Sequence, residues 1–133
     1  MKIKLFFILI IISSLFSGCG LGSIPQEKST YIGVWQGKLN NESMYLVIRA
    51  DASLSYKRQS NDEGMSHSTS INAPIQEFKE DNFIAGILTW DTKFVVTQAP
   101  KEINGTWTMT VDCIKLVKQP NNTIILTEEQ QKP

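Results

Sequence analysis

The sequence predicts an all-β protein: a small antiparallel meander barrel or sandwich of about eight strands, following an N-terminal signal peptide. Three observations predict it. Beyond Tyr31 the apolar residues recur with period two, and no stretch shows the 3.6-residue period of an amphipathic helix. Turn-forming clusters interrupt the chain about every eight to twelve residues. The one long apolar run, Leu5 to Ile12, stands at the extreme N-terminus behind two lysines.

That N-terminal segment, Met1-Lys2-Ile3-Lys4 followed by the apolar run and Ser13-Ser14-Leu15-Phe16-Ser17-Gly18-Cys19, has the layout of a secretory signal. It is too short to be a membrane span, which needs about 20 apolar residues. Leu15-Phe16-Ser17-Gly18-Cys19 resembles the lipobox of bacterial lipoproteins, with Phe16 where leucine is usual. The resemblance implies that the Cys19 thiol receives a diacylglyceryl group. Cleavage then falls between Gly18 and Cys19, and the new amino terminus is acylated with a fatty acid such as palmitate. Two or more acyl chains make a lasting anchor where one does not. Gly20 implies the outer membrane facing the periplasm in an organism that has one, and otherwise the outer face of the cell membrane.

Loss of residues 1–18 leaves 115 of the 133 residues and removes Lys2 and Lys4. The balance of 13 basic and 13 acidic side chains becomes 11 against 13, a net −2. A chain with no basic excess has no electrostatic reason to bind nucleic acid. With Cys19 consumed by lipid, Cys113 is the remaining thiol, so no intramolecular disulfide forms. Residues 19–30 read as the lipidated cysteine and a flexible tether, 31–127 as the β domain, and 128–133 as a C-terminal tail.

Within the domain, Thr106 to Val111 is the clearest strand, with threonines on one face and Trp107, Met109 and Val111 on the other. Met44 to Ile48, Leu54 to Arg58, Phe83 to Thr89 and Lys93 to Thr97 are further β-type runs, and Thr123 to Thr127 a last one. Asn40 to Glu42, Asp51 to Ser53, Asn61 to Gly64, Glu80 to Asn82, Gln98 to Gly105 and Asp112-Cys113 read as turns. A short helical turn fits Ala73-Pro74-Ile75. Asp112-Cys113 occupies the two central positions of a tight hairpin, where both residues need positive φ and cysteine is a poor fit.

Gly33-Val34-Trp35-Gln36-Gly37 resembles the Gly-x-Trp start of lipocalins and related small barrels. The resemblance implies that Trp35 closes one end of the barrel beneath a basic side chain from a late strand, a part that falls to Lys118. Read without it, Trp35 fills the core and the glycines form bends. The block from Tyr31 to Lys118 also looks like a group of small bacterial lipoproteins without an established activity. That likeness rests on Ser55-Tyr56-Lys57-Arg58, Ile71-Asn72-Ala73-Pro74-Ile75 and Trp107 to Asp112. Trp35, Trp107, Phe83 and Phe94 are the candidate barrel-closing or ligand-lining residues.

Catalytic and metal chemistry find little support. His67 stands in Ser66-His67-Ser68-Thr69-Ser70 with no motif around it, and its grouping with Asp62 and Glu63 lacks metal-ligand spacing. Glu77, Glu80 and Asp81 read as a charged hairpin tip. No Gly-x-Ser-x-Gly or Ser-x-x-Lys pattern occurs. The sequence therefore reads as a lipid-anchored envelope protein, without enzyme activity, metal or cofactor. Its domain is expected to bind a small apolar ligand or an envelope protein. The alternative is a structural accessory or inhibitor module of an envelope assembly.

Overall fold

A computed structural model describes residues 21–120. The signal peptide, the cleavage pair Gly18 and Cys19, the strand expected at 123–127 and the tail 128–133 lie outside the described residues. Nine strands form one antiparallel sheet, curled into a half-barrel. They are β1 (Gly33–Leu39), β2 (Glu42–Ile48), β3 (Ser53–Asp62), β4 (Met65–Lys79), β5 (Asn82–Ile87), β6 (Trp90–Phe94), β7 (Val96–Ile103), β8 (Thr106–Val111) and β9 (Ile114–Lys118). Their order across the sheet is β6-β5-β4-β3-β2-β1-β9-β8-β7. All but one of the neighbouring pairs are consecutive in the chain. The exception, β1 against β9, brings Trp35 opposite Lys118 and Gln36 opposite Val117.

Alternation decides which face is dry. On β2, Met44, Leu46 and Ile48 point inward and are buried, and they meet Leu54 and Tyr56 of β3 and Trp35 of β1. On β8, Met109 and Val111 join them. Thr108 is buried as well, on the face expected to be wet, where its Oγ1 accepts a hydrogen bond from Gln98 Nε2 at 3.3 Å. Phe83 and Phe94, facing each other on β5 and β6, stack with centroids 4.9 Å apart, and Phe94 meets the edge of Tyr56 at 5.1 Å. These aromatic contacts add to area burial through their offset and edge geometry.

Several local expectations are corrected. The helical turn at Ala73-Pro74-Ile75 is absent: β4 runs straight through it, with a bulge between Ile75 and Glu77. Pro74 is tolerated because this bulge lies where β4 leaves β3 and begins to pair with β5. The run Lys93 to Thr97 is divided at Val95 between β6 and β7, which stand at opposite ends of the strand order. Gln98 to Ile103 is strand rather than turn, with two register shifts around Ala99-Pro100. Ser66 to Ser70, around His67, is strand as well, part of a long exposed β3–β4 hairpin in which His67 lies opposite Ser60.

The segment read as a flexible tether is, in its described part, packed on the sheet. Leu21 N–H donates to Ile75 O at 3.3 Å, and Ile24 N–H to Ala50 O at 3.0 Å. Gln26–Tyr31 then forms a 3-10 helix. The charged β4–β5 turn is what receives it. Tyr31 Oη donates to Asp81 O at 2.8 Å, and Lys28 Nζ donates to Glu80 O at 2.5 Å and lies 3.8 Å from the Asp81 carboxylate. Glu80 and Asp81 thus serve a structural latch.

Candidate functional site

The two glycines of Gly33-Val34-Trp35-Gln36-Gly37 are there for close approach. A Cβ on Gly37 would lie 2.1 Å from Lys115 O, inside any real contact distance, so only glycine lets β9 come down on β1. A Cβ on Gly33 would lie 3.1 Å from Lys118 Cε, and Gly33 has φ 146°. Between them Trp35 is fully buried, and its Nε1–H donates to Tyr31 O at 2.9 Å. Lys118 Nζ stands 4.9 Å from the Trp35 ring centroid and 5.3 Å from that of Trp107, and donates to Thr30 O at 3.1 Å. An indole, a lysine and the end of the 3-10 helix therefore pack together where β1 meets β9.

Burial shapes the electrostatics of this cluster. It lowers the Lys118 pKa from the ordinary lysine value, because the ammonium is half removed from water. It pushes the Tyr31 hydroxyl up to about 12, with the Asp81 charge adding to the effect. Lys28 lies 5.4 Å from the Tyr31 centroid and 5.6 Å from that of Phe78, so a second cation faces aromatic rings there.

The four candidate aromatics do not share one role. Trp35, Phe83 and Phe94 have no exposed surface and occupy the core, whereas Trp107 is half-buried and packs against it from outside. Leu46, Ile75, Met109, Ile114 and Leu116 fill the space between them, each at 0% exposure. Among the described residues, concave space is found on the outside of the sheet. A groove of about 460 Å³ crosses the outer face of β1, β2, β3 and β9, with Tyr45 between Gln36 and Lys57, its register neighbours. Lys38, Gln59, Val117 and Gln119 border it, and none of its lining residues carries a carboxylate. No motif signals this groove, because Gln36, Tyr45 and Lys57 become neighbours only through strand register.

Lys57 and Arg58, adjacent in sequence, part company as a strand requires. Lys57 faces the groove, and Arg58 turns to the other side, where its Nε donates to Glu42 Oε2 at 3.0 Å and Nη2 donates to the same oxygen. Arg58 is raised by that carboxylate. Cys113 is a free, exposed thiol at the β8–β9 turn, with φ 70° beside Asp112 at φ 48°. Among the described residues no three His, Cys, Asp or Glu side chains come together as a metal site, and no helix is long and apolar enough to cross a membrane.

No protein-family model, no curated protein and no solved structure matches this chain.

Proposed function

We propose that the chain is a membrane-anchored envelope lipoprotein whose β domain is a non-catalytic binding module, engaging a protein partner on the outside of the curled sheet. The anchor rests on Leu15 to Cys19, where a lipobox-like sequence follows a charged and then apolar start. The observation that favours an external partner over an internal apolar ligand is the filled core: Trp35, Phe83 and Phe94 take up the space that a carrier of about eight strands would leave for its ligand. The Tyr45 groove is the binding surface of this reading. It pairs an aromatic ring with amide and ammonium donors, a combination suited to a partner segment that presents carboxylates beside an apolar edge.

Three measurements test it. A photo-crosslinking amino acid in place of Tyr45 is expected to yield one discrete higher-mass adduct in whole cells, and the same amino acid at Ser68 none. The absence of any Tyr45 adduct would remove the groove as an interface. An apolar naphthylamine dye should show no saturable binding to the protein. Stoichiometric uptake of the dye would restore the internal carrier. Labelling with a tagged fatty acid should mark the wild type and not Cys19→Ala, and equal labelling of both would sink the anchor.

A further inference from the structure

Large apolar side chains left in water are mostly scattered among the described residues: Leu39, Met65 and Ile103 each sit beside a different hairpin turn. The hairpin between β5 and β6 is different. Ile87, Leu88 and Trp90 stand together at its tip, 57%, 81% and 83% exposed. Ile87 and Trp90 face each other across the turn. Leu88 holds φ 59°, a left-handed conformation that asparagine or glycine adopts at much lower cost. A branched apolar residue in that position gains nothing for the fold, since its side chain is solvated. The charged residues that follow on β6, Asp91 and Lys93, are one of each sign, so the tip is apolar and close to neutral.

Its place in the sheet supplies the occupant. Leu21 is hydrogen-bonded to Ile75, Ile75 is paired with Ala85, and Ile87 lies two residues beyond Ala85 on the same strand. Cys19 precedes Leu21 by two residues, a reach of at most about 7 Å. Adding two strand spacings, Leu21 to Ile75 and Ile75 to Ala85, and two strand residues puts the Cys19 backbone within about 25 Å of the tip. The packing of Leu21 and Ile24 on the sheet takes the slack out of the connection.

We propose that the β5–β6 tip is a second membrane contact, seating Ile87, Leu88 and Trp90 at the boundary of headgroups and acyl chains in the bilayer that holds Cys19. The proposal rests on the lipoprotein reading above. Tryptophan beside aliphatic side chains suits that boundary, where the ring is apolar and its N–H remains wet. A neutral tip binds through apolar area, so the contact is insensitive to salt and needs no anionic lipid.

The test uses the processed, lipidated protein reconstituted in phosphatidylcholine vesicles with plain or brominated acyl chains. Bromine quenches only fluorophores that reach the acyl region. Brominated lipid is expected to remove the Trp90 share of the emission, equally at low and at molar salt, and to have no effect on Trp90→Ser. Leu88→Gly relieves the backbone and keeps the fold, and should weaken the quenching. Protein that floats with the vesicles, carries the fatty-acid label and is not quenched overturns the tip contact while leaving the anchor intact. So does a detergent-stable dimer that Trp90→Ser abolishes, which assigns the tip to a second copy. A chain that takes no label yet floats and is quenched through Trp90 keeps the tip and loses only the anchor. One that neither takes label nor floats overturns both.

Discussion

Lys118 Nζ lies 4.9 Å above the Trp35 ring and bonds Thr30 O, so the last described strand is pinned to the first and to the segment before it by one side chain. Such a cation over an indole contributes about 0.5–2 kcal/mol, and its hydrogen bond about another 1. Lys118→Ala should therefore lower unfolding free energy in urea by about 2–3 kcal/mol. Lys118→Met keeps the stem and removes the half-buried charge, and is expected to cost less than about 1.5 kcal/mol.

Gly37 makes a sharper test of the same seam. Its missing Cβ is what lets Lys115 O approach, and the obstacle is backbone, which cannot rotate away. Gly37→Ala should separate β9 from β1 locally and cost more than about 3 kcal/mol, among the largest effects of a single methyl. Loss of the cooperative urea transition, or a midpoint far below the wild type, is the expected result.

The alkaline limb of stability carries two opposed slopes. Lys118 has a lowered folded pKa, so the unfolded chain holds more protons between that value and 10.5, and stability rises with pH across this window. Tyr31 is pushed up to about 12 from 10.0, so stability is intact below pH 10 and is lost as pH climbs toward 12. Burial raises Tyr56 in the same direction. Stability should fall above pH 10 by roughly 2–3 kcal/mol on account of Tyr31. Tyr31→Phe should flatten that fall without erasing it, while losing about 1 kcal/mol at neutral pH with the hydrogen bond to Asp81 O.

Asp112 and Cys113 predict a stabilised variant. Both are left-handed, and the Asp112 carboxylate and N–H bond Val95 N–H at 3.0 Å and Val95 O at 2.8 Å. Cys113→Gly should gain about 0.5–1 kcal/mol, since glycine takes the turn without steric cost. It should also abolish the dimer expected from wild-type protein on a non-reducing gel after oxidation. Asp112→Ala should lose about 1–2 kcal/mol by freeing the Val95 corner.

Period-two patterning was enough to expose the all-β class, and the strands with one dry face were legible nearly residue by residue: Thr106–Val111 matches β8 throughout, and β2 buries the residues its alternation marks. The pairing of Lys118 with Trp35 followed from the Gly-x-Trp resemblance. Failures came where local chemistry was read without tertiary context. Pro74 and Pro100 suggested breaks, but Pro74 is the last β4 residue paired with β3, just before a bulge, and Pro100 lies within a register shift. Residues 21–31 have a linker's composition, and their hydrogen-bond partners, among them Ile75 O, Ala50 O and the β4–β5 turn, are brought to them only by folding. The Tyr45 groove was invisible for a related reason: its residues are scattered over four strands, and only register assembles them.

The strand order also sets a timetable. Strands β2 to β6 each pair with the neighbour made just before or just after them, so this ribbon can zip up as it appears. The first strand is the exception: its second partner, β9, is the last described strand to be made. A chain made from its N-terminus therefore keeps β1 half-paired until β9 has been made. Trp35 stays uncapped until then, and the sheet closes only with its last described strand.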